Sequence, residues 1–577
     1  MDGARRAADP DYSDVLIIGA GISGLGAAYR VHEKSPGLTY TVLERRGRIG
    51  GTWDLFRYPG IRSDSDIFTL SFPYQPWTRP ENVADGDDIR DYLTATARAH
   101  GIDRHIRFNT HVLSADWDSD TDTWTVRAEQ DGEAKTYRCR YLFCGTGYYN
   151  YDEPYTPEFP GIESFGGDVV HPQFWPESLD YSGKRVVVIG SGATAVSLVP
   201  ALAQQAAHVT MLQRSPTYMV SAARIDPMVQ AIRKVLPRRV SHQVVRVRNA
   251  MIHVLSYFFF RKAPDLGRRF IRSRTVAALP DGYPVDVHFK PRYNPWDQRL
   301  CLVLDGDLFG HISDGRVDVV TDHVDHIDAA GIVLKSGERV DADVIVTATG
   351  LQLQALGGIR LAIDGHEVKP TERYVYKEFL LEDVPNLAWC IGYTNASWTL
   401  RADMTARAFA NLLAYMGAHG YTHAYPHKGA APMPEKRTWD LEAGYIQRSE
   451  HALPRSGTKR PWHVRHNYVL DAIDHRFDRI DESMVFGRAP SAPAPPRSRG
   501  CVLSTASVRV CCLPRRVSPA VCARSSRCTD AQSRRQELGR RQAERGLEGV
   551  GQVRRAGESG FGGCCRQIPP GRHRDTH

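Results

Sequence analysis

A chain of 577 residues exceeds what one hydrophobic core supports and predicts two or three domains. Hydrophobic residues at 42% and charged residues at 24% suit a soluble globular protein rather than a fibrous or low-complexity one. The net charge of +8 is confined to the end: residues 491–577 hold 17 Arg, no Lys and six acids, leaving 57 basic and 60 acidic side chains before them, so the basicity is no evidence for nucleic-acid binding and none is expected.

The N-terminal MDGARRAADPDYSD lacks the apolar run of a secretory leader. The longest apolar stretch, MIHVLSYFFF, is about half the roughly 20 residues that span a bilayer, so a cytoplasmic protein is expected. SDVLIIGAGISGLGAAYRVHEK reads as an apolar strand, a glycine turn and an Ala-rich helix, and TYTVLERR as a second strand: a βαβ unit of dinucleotide-binding size. TDTWTVRAE and YRCRYLFCGTGYY alternate like strands of a smaller sheet. GKRVVVIGSGATAVSLVPALAQQ with AHVTMLQRS repeats the βαβ pattern. Residues 224–275 predict Arg-rich helices with aromatic and aliphatic residues interleaved. RVDADVIVTATGLQLQ is a strand ending in a small-residue turn, NLAWCIGYTNASWTL a late strand and loop, and RADMTARAFANLLAYMGAHG the start of a C-terminal helix. From residue 488, RAPSAPAPPRSRG opens an Arg-, Ser-, Gly- and Cys-rich tail expected to be disordered, whose Arg without Lys also fits translation of a GC-rich frame out of register. Seven of eleven cysteines lie there; Cys139, Cys144, Cys301 and Cys390 form no CxxC pair, which argues against a disulfide scaffold, a zinc ribbon or a dithiol centre. The expected class is α/β: two Rossmann-like dinucleotide-binding domains, the second with a helical insertion, and the tail.

Gly19, Gly21 and Gly24 form GxGxxG between a strand and a helix, for the tight turn, the pyrophosphate approach and close helix packing, with Ser23 inside the loop. Glu44 ends the next strand, where a carboxylate accepts from adenosine ribose hydroxyls. Gly50-Gly51-Thr52-Trp53 is a further small-residue turn for a ribityl or pyrophosphate. The second loop runs Gly190, Ser191, Gly192, Ala193, Thr194, Ala195, Val196; no acid follows its second strand, but Arg214 and Ser215 do, which favours NADP over NAD. Two nucleotide sites of different preference suggest a flavin enzyme reduced by a nicotinamide. ATG at 348–350 and GTG at 145–147 end apolar strands and look like crossover turns between the two domains, where an ordinary tight turn and a cofactor contact are equally expected. DHVDHID at 322–328 has ligand-like spacing but is read as a solvated strand face, with no metal site. The basic aromatic stretch 248–273 is read first as a helical subdomain near substrate access and second as a weak peripheral membrane contact.

Phe165, Gly167, His171, Trp175 and Pro176 form FxGxxxHxxxWP, which resembles the fingerprint of class B flavoprotein monooxygenases, in particular Baeyer–Villiger monooxygenases. GGTWDLFRYPGIRSDSD, YYNYDE, HPQFWPESLDY, YNPWDQRLCLV and GYTNASWTL are similar to that family as well, over about residues 12–487. The resemblance implies FAD in residues 12–160 and 351–487, NADPH in 161–350 with a helical insertion at about 220–290, and the tail at 488–577. It implies a C4a-peroxyflavin that inserts oxygen into a ketone or oxidises a sulfide or thiocarbonyl, with O2 as co-substrate. It adds Asp54, Leu55, Arg62, Ser63 and Val112 as cofactor contacts, Arg299 as the catalytic cation and Asp64 as the acid that positions it. Without the family, those two would read as a surface ion pair. Gln298 stands where many members have Lys. His171 is expected to couple or support rather than act as a base. The alternatives are an N- or S-hydroxylating flavin monooxygenase, an NADPH–flavin oxidase, a disulfide reductase, and a redox-sensing flavoprotein.

Overall fold

The computed structural model describes residues 9–439, 441–477 and 479–489; the expectations for the tail lie outside them. β1 (Tyr12–Ile18) runs into α1 (Ile22–Lys34), and β2 (Tyr40–Leu43) pairs parallel with β1. After α2 (Gly86–Ala99) and the short β3 (Ile106–Arg107), β4 (Thr110–Asp118), β5 (Thr123–Gln130) and β6 (Glu133–Cys144) form an antiparallel meander. The meander is not a separate smaller sheet. The start of β6, residues 133–136, is exposed and pairs only with β5, whereas residues 141–144 are buried on both faces and lie parallel beside β1. A strand polar at one end and apolar at the other can serve both neighbours, joining meander and parallel core into one sheet.

The second sheet is wholly parallel. β7 (Asp168–Val170), β8 (Arg185–Ile189) and β9 (His208–Gln213) enter it, with α3 (Ala193–Leu202) crossing between the last two. The fingerprint segment is thus partly strand: Asp168–Val170 is the sheet edge. β10 (Met219–Ala222) and β11 (Cys301–Leu304) pair parallel and bracket the helices α4 (Pro227–Val235), α5 (Arg238–Lys262) and α6 (Pro264–Ala278). α4 begins with Pro227 at its first position and the Asp226 carboxylate accepting from Met228 and Val229 N–H; Pro264 separates α5 from α6. β12 (Val317–Thr321) pairs with β9, and β13 (Val324–Asp328), β14 (Gly331–Leu334) and β15 (Arg339–Asp341) form a small antiparallel flap. DHVDHID falls at its edge; among the described residues no group of three His, Cys, Asp or Glu could hold a metal.

β16 (Val344–Thr347) completes the second sheet between β7 and β8. The chain then returns to the first. β17 (Arg360–Ile363) lies parallel beside β4 and antiparallel to β18 (His366–Val368), while β19 (Val375–Tyr376), β20 (Leu380–Leu381) and β21 (Leu387–Trp389) lead back to β6. α7 (Trp398–His419) packs on α1, and α8 (Tyr468–Phe477) follows.

α5 reverses the usual amphipathic order. Its buried side carries Arg246, whose Nη1 donates to the carbonyls of Phe68 (2.9 Å), Thr69 (3.0 Å) and Ser71 (2.6 Å), and Asn249, whose Nδ2 donates to Asp66 at 2.8 Å. Its solvent side is apolar. No helix among the described residues is long and apolar enough to cross a membrane.

Candidate active site

β1 ends at Ile18, and the chain must turn sharply to begin α1. Gly19 makes the turn at φ +97°, where a Cβ would stand 2.6 Å from the Gly145 carbonyl oxygen. Gly24 closes on the same loop, its would-be Cβ 1.8 Å from Gly19 O. The ends of β1, β2 and β6 thereby meet at one cleft. Across it, Gly51 faces Gly21, and a Cβ on Gly51 would lie 3.1 Å from Gly21 Cα. Two glycine backbones with no side chain between them, at the N-terminus of α1, form a cradle that fits the pyrophosphate of FAD. Glu44, 4% exposed, lines the same cleft; Ala20 N–H donates to its Oε2 (2.6 Å) and Arg46 N–H to its Oε1 (2.8 Å). Burial raises its pKa and these two donors pull it back. Each oxygen keeps a lone pair for a ribose hydroxyl.

Ser23, Thr52, Trp53, Arg62, Ser63, Asp64 and Val112 also line the cleft. Ser23 Oγ accepts from Trp398 Nε1 at 2.9 Å, so α7 is stitched to α1 at the cofactor turn. Arg62 reaches away from an anion: Nη1 donates to Asp307 at 2.5 Å and Nη2 to Leu302 O at 3.2 Å. Asp54 and Leu55 do not line it. Asp54 is 2% exposed and accepts from Arg46 Nε (2.6 Å) and Arg57 Nη2 (2.5 Å), and Leu55 packs in the core beneath α3. Their places follow from the one-turn helix Thr52–Leu55, which presents its first two residues to the cleft and its last two inward.

The second glycine turn abuts the first site. Gly190 stands at φ +140°, its would-be Cβ 2.2 Å from Ala348 O, while Ala193, Thr194 and Ser197 of α3 enter the cleft lining. Ser191 Oγ bonds Thr217 Oγ1 at 2.8 Å; Ala195 and Val196 are core residues. Arg214 and Ser215 are exposed after β9. Close to Arg214 lies Arg448, not anticipated from sequence, with its guanidinium 3.4 Å above the Tyr155 ring. Partial burial lowers the Arg448 pKa, Tyr155 raises it, and the charge of Arg214 lowers it. Neither arginine has a carboxylate partner among the described residues.

Phe165 packs on the second sheet, and Gly167 leaves no room for a side chain, since a Cβ would lie 2.2 Å from Asp343 O. His171 Nδ1 accepts from Gln173 N–H at 3.1 Å, capping the turn Pro172–Phe174. Its Nε2 is buried without a hydrogen-bond partner, near the backbone of Gly350 and Tyr155, and burial lowers its pKa. Trp175 meets Tyr181 edge-on, and Pro176 is exposed.

Arg299 and Asp64 both face the cleft, and neither belongs to a surface ion pair. Arg299 is held by backbone: Nε donates to Thr394 O (3.1 Å) and Nη2 to Tyr393 O (3.4 Å). Burial works against its charge, but Tyr445, Tyr148, Tyr149 and Asp64 together raise its pKa. Burial raises the Asp64 pKa, while Arg299 and Arg62 pull it down. Tyr148 bonds Tyr149 through their hydroxyls and stacks on Trp398 at 4.7 Å; burial raises Tyr149 and pushes Tyr445 up to about 12, so the latter two phenols stay neutral. This tyrosine wall was not apparent from sequence, where YY at 148–149 carried no role. The four body cysteines are buried free thiols, and burial raises Cys144 and Cys390 to about 12, which leaves no thiolate for dithiol chemistry.

Comparison with protein families matches residues 13–355 to the one described as flavin-binding monooxygenase-like. The FAD-containing monooxygenase EthA of Mycolicibacterium smegmatis is 47% identical over 473 residues, 82% of this chain and 96% of that one. The Mycobacterium tuberculosis EthA is 47% identical over 483 residues, covering 83% and 99%. The probable FAD-binding monooxygenase AlmA of Acinetobacter baylyi is 43% identical, covering 82% and 95%. Among solved structures, oxidised steroid monooxygenase bound to NADP superposes with a TM-score of 0.65 at 22% identity, covering 83% of this chain and all of that one, which establishes a shared fold. Closed cyclohexanone monooxygenase gives 0.66 at 19%, with the same coverage.

Proposed function

The chain belongs to the flavin-binding monooxygenase-like family and is an NADPH-driven FAD monooxygenase, and we propose that it inserts oxygen beside a ketone carbonyl, with Arg299 as the catalytic cation. The first sheet, residues 12–160 and 351–487, would hold FAD through the Gly21–Gly51 cradle and Glu44. The second, residues 161–350, would hold NADPH through the Gly190–Ala195 turn, with Arg214 and Arg448 on the 2′-phosphate. When bound and reduced, FAD supplies activation of O2 and delivery of one oxygen atom.

The observation that carries this reading is a guanidinium fixed inside the cleft without a direct ion pair. Oxygen insertion beside a carbonyl develops negative charge on oxygen, and a preorganised cation in a site of few waters stabilises it strongly. Thr394 O and Tyr393 O hold Arg299 without neutralising it, so its charge remains for the reacting oxygens. Asp64 positions the guanidinium from across the cleft, and the rings of Tyr148, Tyr149 and Tyr445 exclude water and offer hydroxyl donors. A sulfide or thiocarbonyl is the second substrate class. The apolar lining from Phe56, Ile61, Leu351 and Ile359 suits sulfur, which accepts oxygen without forming an alkoxide.

Arg299→Ala separates the two. Ketone oxygenation falls by about 100-fold or more, while NADPH oxidation continues with release of hydrogen peroxide and sulfide oxidation falls less. Ketone oxygenation at the wild-type rate overturns the role of Arg299. Peroxide as the sole wild-type product with every ketone and sulfide offered identifies an oxidase instead.

A further inference from the structure

The outer face of α5 has no partner within the described protein. Val240, Val244, Val247, Met251, Leu255 and Phe258 follow one another at steps of four and three and form a single row along the solvent side. Val247 and Leu255 are 60% and 61% exposed. On α6, Leu266 and Phe270 repeat the pattern and are also exposed. The buried face of α5 carries Arg246, bonded to the carbonyls of Phe68, Thr69 and Ser71, with Val245 and Ala250 packed beside it. The exposed row takes no part in that attachment, and an apolar row of this length turned to water calls for a ligand surface.

Charge identifies that surface. Residues 236–279 carry ten Arg or Lys and one acid, whereas the rest of the first 490 residues carries 47 basic and 59 acidic side chains. Arg239, Lys262, Arg269 and Arg274 are exposed and, among the described residues, have no acidic partner. A second copy on this face would set these four unpaired cations against their own counterparts. The last 87 residues carry +11 and meet the same repulsion. A bilayer rich in anionic lipid accepts both features: apolar side chains enter the acyl boundary, and arginines meet phosphates. We propose that α5 and α6 dock this protein peripherally on an anionic membrane surface, apolar row inward, without spanning it.

The test is co-sedimentation of the full-length, FAD-saturated protein with phosphatidylglycerol-containing vesicles and with pure phosphatidylcholine vesicles. Binding is expected to the anionic vesicles only, weakening about tenfold or more as salt screens the arginines. Val247→Asp with Leu255→Asp is expected to lower binding about tenfold or more, with the melting temperature and NADPH oxidation unchanged. Arg269→Glu with Arg274→Glu, which alters only exposed charges, is expected to do the same and serves as the second arm. No binding by the wild type, or equal binding to both vesicle types, overturns the proposal. So does a dimer in analytical ultracentrifugation that the Asp pair dissolves, since the face would then belong to a second copy.

Discussion

At Asp64 two effects oppose each other, and burial prevails. A carboxyl with its pKa raised in the folded state binds more protons there than in the unfolded chain, over the window between the ordinary and raised values. Stability therefore falls as pH rises through that window. Asp64→Asn is expected to melt higher than wild type at neutral pH and no higher in acid, by scanning fluorimetry at several pH values. It is also expected to lose about tenfold or more in ketone oxygenation, because Arg299 loses its opposing charge. A variant that melts lower at neutral pH contradicts the stability argument, and unchanged turnover contradicts the positioning role. At the second nucleotide turn, Arg214→Ala is expected to raise KM for NADPH about tenfold and leave that for NADH unchanged, measured by steady-state oxidation. Legibility at this scale was uneven. Gly19, Gly21, Gly24 and Glu44 could be read directly, because a turn between strand and helix constrains its residues locally. Asp64 and Arg299 lie far apart in the chain, and no periodicity connects them; only the family motifs did. Tyr445 and Arg448 had no signal at all, since the segment that carries them reaches the cleft through tertiary packing.

The elements were legible where pattern and environment agree. Residues 15–18 of β1, with most of β8 and β16, are continuous apolar runs flanked by parallel strands. β6 misled because its two halves face different surroundings, so its polar half disguised a central strand. α5 shows a limit of the pattern: periodicity marks which side is apolar, not which side is buried. Its attachment is polar, which makes Arg246 the decisive residue. Arg246→Met leaves the carbonyls of Phe68, Thr69 and Ser71 without this donor in a buried setting, and is expected to cost about 3 kcal/mol, read as a lower urea midpoint. The same variant should show faster amide exchange in residues 66–72. If stability is unchanged, α5 is held by its few buried apolar contacts instead.

At the scale of the whole molecule, the close of the body is set by a small strand pair. Met484–Gly487 pairs with His423–Pro426, and Ala489 N–H donates to Thr422 Oγ1 at 2.8 Å. A chain ending at Ala489 is therefore expected to retain NADPH oxidation within about twofold and an unchanged melting temperature, whereas one ending at Asp481 loses the pair and melts several degrees lower. The two-sheet plan was legible from two glycine loops. What was not legible is how the sheets share the cleft, because α3 and Arg299 enter it from the second half of the plan.

The first sheet also imposes an order on biosynthesis. Leu142 pairs with Leu387, and β17 reaches back to β4, so the strands that complete this sheet are translated about 245 residues after the strands they join. At roughly 5–20 residues per second, the ribosome leaves that sheet unfinished for roughly 12 to 50 seconds. All five strands of the second sheet emerge within this interval. A nascent chain thus offers a finished second sheet while the edge of the first still waits for its partners, and a cofactor that needs the completed first sheet is loaded only after Trp389 has emerged.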